Sequence, residues 1–141
     1  MAMDTTTTTN TTRPLLSTRV MVIDDDVFSQ QLLCDMLGQL GVCQVHLACN
    51  GREALQALAY LDTAPNFLIC DIYMPDMDGI EFVAELGHIQ FQGSVILISG
   101  VNLETLALAQ DIGLGSGVKV VGAFQKPMRL SALANALGID A

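Results

Sequence analysis

Five short apolar runs, each followed by a segment with helical periodicity, fill the chain from residue 19 onward. The runs lie within the segments RVMVID, VCQVHLAC, FLIC, SVILIS and VKVVGAF. Strands that are apolar on both faces are typical of a parallel sheet covered by helices on both sides. The sequence therefore predicts an α/β domain built from five βα units.

Local signals place the boundaries of several predicted helices. Gly41 is a suitable residue to end the first helix, whereas Asn50 and Asp78 are suitable to begin the second and third. The glycine-rich stretch GLGSGVK, residues 113–119, precedes a strand and is predicted to be a flexible connection.

Composition limits both the domain organisation and the partners. Residues 1–18 form a Thr-rich segment that predicts a flexible tail, which leaves residues 19–141 as one domain. A net charge of −9 argues against direct binding of nucleic acid or anionic membrane. The four cysteines contain no C-x-x-C pair and favour buried free thiols in a reducing, cytoplasmic setting.

Polar residues collect where the predicted strands end. Asp24, Asp25 and Asp26 follow the first strand and Asp71 ends the third, whereas Ser99 and Lys126 follow the fourth and fifth. In an open parallel sheet, ligands bind at this carboxyl edge. We therefore expect these side chains to converge on one site.

Several carboxylates placed together repel one another unless a cation is present. Mg²⁺ suits such a site because it binds one or two carboxylates and shares phosphate oxygens with a substrate. Lys126 and Ser99 could then contact a phosphoryl group, which leaves one carboxylate free to act as a nucleophile. This reasoning predicts that Asp71 is phosphorylated.

Each residue also has a plain structural interpretation when it is taken alone. Asp26, Asp71 or Ser99 could cap a helix, and Lys126 could be a solvated charge. Asp76 and Asp78 are interpreted as turn and cap residues rather than ligands. The joint placement of the first set favours the functional interpretation.

The motifs VMVIDDD, CDIYMPDMDG, VILISG and FQKP resemble, in order and spacing, the receiver domain of two-component response regulators. The resemblance covers residues 19 to about 137. It implies a flavodoxin-like (βα)5 three-layer sandwich with strand order 2-1-3-4-5. It also implies a cytoplasmic signalling domain that catalyses only its own phosphorylation and slow dephosphorylation.

The resemblance assigns a role to each matching residue. It implies that Asp71 is the phosphoacceptor, that Ser99 is the switch hydroxyl and that Lys126 is the phosphate-binding lysine. It implies that Asp25 binds Mg²⁺ directly, that Asp24 binds it through a water molecule, and that the backbone carbonyl of Tyr73 is a further ligand. It also implies a cis peptide bond before Pro127. The implied partners are a histidine kinase or phosphotransfer protein, an output domain or effector protein, and a second copy in a phosphorylation-dependent homodimer.

Two features set this chain apart within that family. The second switch residue, an aromatic three positions before the lysine, corresponds here to Ala123, and strand alternation directs the neighbouring Phe124 to the other face. Residues 109–127 also resemble receivers joined to EAL-type cyclic-di-GMP phosphodiesterases, and this resemblance implies a role in cyclic-di-GMP signalling.

Two other functions compete with this one. A phosphohydrolase of the haloacid-dehalogenase type would use the D-x-D pair Asp24 and Asp26, with Asp24 as nucleophile, but it leaves Asp71 unexplained. A docking module that switches by protein contact alone would keep the same residues without being phosphorylated.

Overall fold

The computed structural model describes residues 17–100 and 103–139, which form a parallel sheet covered by helices. The five strands pair in parallel in the order β2-β1-β3-β4-β5, which confirms the predicted (βα)5 arrangement. Their bounds are β1 Arg19–Ile23, β2 Gln44–Ala48, β3 Phe67–Asp71, β4 Ser94–Ser99 and β5 Lys119–Gln125.

A helix follows each strand, and several begin where the sequence predicts. The bounds are α1 Val27–Gln39, α2 Gly51–Tyr60, α3 Gly79–His88, α4 Leu103–Ser116 and α5 Leu130–Ala136. Asn50 caps α2 and Asp78 caps α3, each by accepting a hydrogen bond from the backbone of the third helical residue. Gly41, just beyond α1, adopts a left-handed φ of 91°, the conformation that favours glycine at a helix end.

The sheet separates two apolar cores. One core lies under α2, α3 and α4 and contains Ala54, Phe82 and Ala109. The other lies under α1 and α5 and contains Leu37 and Leu133. The fold is therefore the predicted three-layer sandwich.

Strand alternation in β5 behaves as expected from the sequence. Ala123 packs against the core beneath α2, α3 and α4. Phe124 packs against the opposite core, beneath α1 and α5. Phe124 therefore does not replace the aromatic side chain that the family carries at the position of Ala123.

The prediction for residues 113–119 is wrong in part, because α4 continues to Ser116. A Cβ atom at Gly113 would lie 2.6 Å from Val120 Cγ2, so a larger residue would push α4 away from β5. A Cβ atom at Gly87 of α3 would likewise lie 2.7 Å from Ser116 Cβ. Close packing thus keeps glycine in a helix despite its low helical propensity.

The four cysteines are free, but the prediction that all are buried is wrong. Cys70 lies in the core, whereas Cys43 and Cys49 flank β2 and are exposed. Because β2 is an edge strand, its ends lie at the surface even though the local sequence is apolar.

The described residues include most of the predicted domain but little of the predicted tail. Residues 1–16 lie outside them, and β1 begins at Arg19. Within the described part of the chain, no helix is both long and apolar enough to cross a membrane.

Candidate functional site

The carboxyl edge of the sheet brings together three of the predicted site residues. Asp24 follows β1, Asp71 is the last residue of β3, and Lys126 follows β5. Asp24 is fully buried and Asp71 is 5% exposed. Because unpaired carboxylates are costly at such depth, the lysine between them is the main source of compensation in this structure.

The ammonium group of Lys126 has an acceptor for each of its three protons. It donates to Asp24 Oδ2 at 2.9 Å, to Asp71 Oδ2 at 3.0 Å and to Ser29 Oγ at 3.3 Å. The Ser29 hydroxyl in turn donates to Asp26 Oδ2 at 3.0 Å. The lysine thus joins three strand ends and the first turn of α1.

Burial and pairing change the acidity of this group of side chains. Burial raises the pKa of Asp71 above its ordinary value, and the hydrogen bond and charge of Lys126 offset only part of this effect. Burial alone would lower the pKa of Lys126, but its hydrogen bonds to Asp24 and Asp71 outweigh burial and raise it. The lysine therefore remains a cation, and Asp71 is a more basic carboxylate than an exposed one.

Backbone contacts fix Asp24 in place. Its Oδ1 accepts a hydrogen bond from the Asp26 N–H at 2.9 Å. Its carbonyl oxygen accepts one from Gln30 Nε2 at 2.7 Å, and the same amide nitrogen lies 3.3 Å from the Ala48 carbonyl. Gln30 is a buried polar residue of α1 that ties together the ends of β1 and β2.

Asp71 is held by the loop that follows it. Its Oδ1 accepts a hydrogen bond from the Tyr73 N–H at 3.2 Å. The Ile72 N–H donates to the Ile98 carbonyl at 3.0 Å, which keeps the start of the loop on β4. The loop closes where the Gly79 N–H donates to the Ile72 carbonyl at 2.6 Å.

Asp25 completes an acidic cluster with Asp24 and Asp71. One carboxylate oxygen from each residue can be chosen so that the three lie within 4.8 Å of one another. Asp25 is exposed, so the cluster is open to solvent on one side. Hard oxygen donors at this separation, with room for water, fit Mg²⁺.

Ser99 and Lys126 are neighbours at the ends of β4 and β5. The Lys126 N–H donates to the Ser99 carbonyl at 2.8 Å, and Ser99 is fully buried. The Lys126–Pro127 peptide is cis, as the family resemblance implies. The structure therefore brings the four predicted strand ends to one place.

The other acidic residues near the site have structural contacts. Asp26 caps α1, with Oδ1 accepting from the Phe28 N–H at 3.1 Å, and Asp78 caps α3. Asp76 lies in the loop between β3 and α3 and also accepts hydrogen bonds from the backbone of α2.

Sequence reasoning did not identify the contacts of Ser29, Gln30 and Asp76. Ser29 and Gln30 lie one turn beyond the Asp26 cap, where side chains face the strand ends. Polar residues at this position in the sequence could have indicated a contact with the site. Asp76 carried no comparable signal, because its partners lie 24 and 25 residues earlier in the chain.

Comparison with known proteins agrees with this geometry. The family model of the response regulator receiver domain matches residues 20–138. The chemotaxis protein CheY of Thermotoga maritima is 30% identical over 115 residues, which cover 82% of this chain and 93% of CheY. The regulator of RpoS of Escherichia coli is 31% identical over 104 residues, which cover 73% of this chain but 30% of that longer protein.

Solved structures support the same fold. A response regulator receiver domain protein from Clostridium thermocellum superposes with a TM-score of 0.74 at 24% identity. The match covers 86% of this chain and 91% of that one.

Proposed function

The chain belongs to the family of response regulator receiver domains, and we propose that Asp71 is its phosphoacceptor. The general function of this family is to accept a phosphoryl group on an aspartate in the presence of Mg²⁺. One observation carries the assignment to Asp71: Lys126 bridges its carboxylate to that of Asp24, with Asp25 alongside. Asp71 ends β3, the central strand of the sheet, which lies between β1, followed by Asp24 and Asp25, and β5, followed by Lys126.

The proposed reaction is a displacement at phosphorus. A carboxylate oxygen of Asp71 attacks the phosphorus atom of a phosphohistidine or of a small acyl phosphate. The new bond is an acyl phosphate, and the bond from phosphorus to the donor nitrogen or oxygen breaks. The leaving group keeps that electron pair. A histidine nitrogen then takes up a proton from solvent, whereas the carboxylate released from an acyl phosphate stays ionised.

Two side chains assist this displacement. Lys126 already lies 3.0 Å from Asp71 and is placed to hold an oxygen of the incoming group. Ser99 would donate its hydroxyl to another oxygen once the group is in place. Hydrolysis of the acyl phosphate by water would return Asp71 to its starting state, so the chain turns over only its own modification.

Receiver domains generally use Mg²⁺ at the acidic pocket, and the donor set here fits that ion. We assign it to Asp24, Asp25, Asp71 and the backbone carbonyl of Tyr73. When bound, the ion neutralises the negative charge that the carboxylates and phosphoryl oxygens bring together. The chain itself contributes the orientation of these oxygens through Gln30 and the loop after β3.

Receiver domains interact with histidine kinases and with output or effector domains. We propose that this chain takes its phosphoryl group from a histidine kinase or a phosphotransfer protein. The phosphoryl group carries about −2 charge and replaces the −1 charge of the Asp71 carboxylate, so the modification adds about −1 charge and new acceptor oxygens beside Lys126 and Ser99. The face formed by α4, β5 and α5 would then shift between two arrangements, alter contact with an output protein and favour a homodimer.

Ala123 makes this transmission unusual, because no aromatic side chain at that position can follow Ser99. Relaxation-dispersion NMR measures the exchange directly. An exchange contribution in β5 and α5 that changes on phosphorylation supports the route, and its absence would contradict it. Size-exclusion chromatography before and after phosphorylation tests the proposed homodimer.

The proposed chemistry is tested by intact mass after incubation with Mg²⁺ and acetyl phosphate. We expect one added phosphoryl group, which is absent in Asp71→Asn and in the presence of a chelator. An adduct that persists in Asp71→Asn would overturn the assignment. If acetyl phosphate gives no adduct, a phosphorylated phosphotransfer protein is the second donor to use.

The family match and the geometry do not favour a phosphohydrolase of the haloacid-dehalogenase type. Its nucleophile would be Asp24, whose side chain is fully buried and hydrogen-bonded to Lys126 and to the Asp26 N–H.

We also propose a domain boundary between residues 18 and 19. The resemblance to EAL-linked receivers stays a prediction.

A further inference from the structure

The loop between β3 and α3 is attached to a second helix, α2, by Asp76. Asp76 Oδ2 accepts a hydrogen bond from the Arg52 N–H at 2.9 Å, and Oδ1 accepts one from the Gly51 N–H at 3.3 Å. These are the first two N–H groups of α2, which have no partner within the helix. A carboxylate is favourable there because it also meets the positive end of the helix dipole.

The capping residues of α2 itself bind other N–H groups than those that Asp76 binds. Asn50 Oδ1 accepts from the Glu53 N–H at 2.7 Å, and Glu53 Oε1 accepts from the Cys49 N–H at 3.0 Å. These two bonds form a capping arrangement within the segment. The groups at residues 51 and 52 are satisfied from outside, by the loop that follows Asp71.

Packing beside this contact also joins the loop to α2. Met77 lies against the bare Cα of Gly51, where a Cβ atom would be 3.1 Å from the Met77 sulfur. Met77 is half-buried and packs on the core beneath α2 and α3. Two consecutive loop residues therefore attach to the start of the same helix.

We propose that Asp76 is a positioning residue for phosphoryl transfer to Asp71. Its attachment to α2 holds the segment that contains Tyr73, whose N–H donates to Asp71 Oδ1 at 3.2 Å. Between Tyr73 and Asp76 lie two residues, and one of them, Pro75, has a restricted backbone. Movement of Asp76 away from α2 would therefore also displace the backbone amide and carbonyl groups of Tyr73.

This proposal rests on the proposed function, since it concerns the orientation of the carboxylate that reacts. Asp76 itself does not contact that carboxylate. It acts through the loop, so its removal should lower the rate at saturating donor more than it alters the donor concentration needed for half-maximal rate.

The test compares three variants with the wild-type domain. Asp76→Ala removes the attachment, and Asp76→Asn keeps an acceptor oxygen but removes the charge. Asn50→Ala is the matched control, because it removes a cap of the same helix and leaves the loop attached. Stability by urea unfolding is measured for all of them, so that effects of folding are separated from effects on the site.

We expect Asp76→Ala to slow phosphorylation by saturating acetyl phosphate by about tenfold. Asn50→Ala should stay within about twofold of wild type at comparable loss of stability, and Asp76→Asn should recover part of the rate. Equal rates for Asp76→Ala and Asn50→Ala would overturn the proposal.

Hydrogen exchange of the Tyr73 amide gives a second readout that needs no phosphorylation. We expect faster exchange in Asp76→Ala and unchanged exchange in Asn50→Ala, and unchanged exchange in both would overturn the proposal. If wild type gains no phosphoryl group from any donor, the proposed function fails. If wild type is phosphorylated but Tyr73 is unaffected in Asp76→Ala, only the positioning role fails.

Discussion

Replacing Lys126 by methionine tests the electrostatic balance of the site most directly. The ammonium is the shared donor to Asp24 and Asp71, at 2.9 and 3.0 Å. The two carboxylate side chains are 0% and 8% exposed, so little water reaches them. Methionine has a similar length and keeps the packing of the aliphatic stem, but it removes the charge.

The size of the effect follows from the burial of the partners. Removing one partner of a buried ion pair costs about 3–5 kcal/mol, because a buried charge is left without compensation. The ammonium side chain is 24% exposed, which places the expected loss near the lower limit of that range. Domains of this size unfold with about 5–15 kcal/mol, so the variant should still fold.

Mg²⁺ should reverse much of this loss. The ion and the ammonium neutralise the same carboxylates, so removal of the lysine should make ion binding more favourable. An ion present at 100 times its dissociation constant adds about 2.7 kcal/mol to the free energy of unfolding. We therefore expect Mg²⁺ to stabilise Lys126→Met more than it stabilises wild type.

Urea unfolding in chelator and in excess Mg²⁺ measures both effects. The matched control is Lys119→Met, which removes the other lysine of the chain from an exposed position on β5. With a urea slope of about 1–3 kcal/mol/M, a loss of about 3 kcal/mol lowers the midpoint by about 1–3 M. If both variants lose the same stability in chelator, the pairing argument is wrong. If Mg²⁺ stabilises both equally, the lysine and the ion do not share their carboxylates.

Three further predictions concern individual residues of the domain. Gln30→Met should lower the free energy of unfolding by about 1–3 kcal/mol in urea titration, because a buried carbonyl oxygen loses its donor. Gly113→Ala should lower the free energy of unfolding by about 1–3 kcal/mol, since the added methyl group would meet Val120. Gly115→Ala has open space around it and should raise the free energy of unfolding by up to about 1 kcal/mol. Equal effects of the two substitutions in thermal unfolding would contradict this reasoning. Because the pKa of Asp71 is raised in the folded state, folding takes up protons between the ordinary value of 3.8 and that raised pKa. In metal-free buffer, the stability of wild type relative to Asp71→Asn should therefore fall as pH rises through this interval, and a rise would contradict the sign.

The strand ends were predictable because they depend on the alternation of strands and helices. Once five βα units are recognised, parallel pairing places Asp24, Asp71, Ser99 and Lys126 at one edge regardless of their separation in sequence. The caps at Asn50 and Asp78 were predictable because they act within one turn of their own position.

The partners of the supporting contacts were not predictable, even where the position of a polar residue gave a signal, because they depend on tertiary packing. Lys126 and Ser29 are 97 residues apart, and a serine on a helix otherwise resembles a solvent-facing residue. The length of α4 escaped prediction because Gly113 disfavours a helix locally, while its contact with β5 favours one. The exposure of Cys43 and Cys49 follows from the edge position of β2, which its own sequence does not reveal.

Gly113 packs closely against Val120 of β5, and Ser116 packs closely against Gly87 of α3. These contacts hold the C-terminal end of α4 in place. The helix spans 14 residues, about 21 Å, and these contacts lie at its C-terminal end. Sliding along its axis would move Ser116 off Gly87 and set bulkier side chains against α3. If phosphorylation displaces Ser99 as we propose, α4 would rotate about this fixed end, with the largest movement beside the phosphoryl site and the smallest at Ser116.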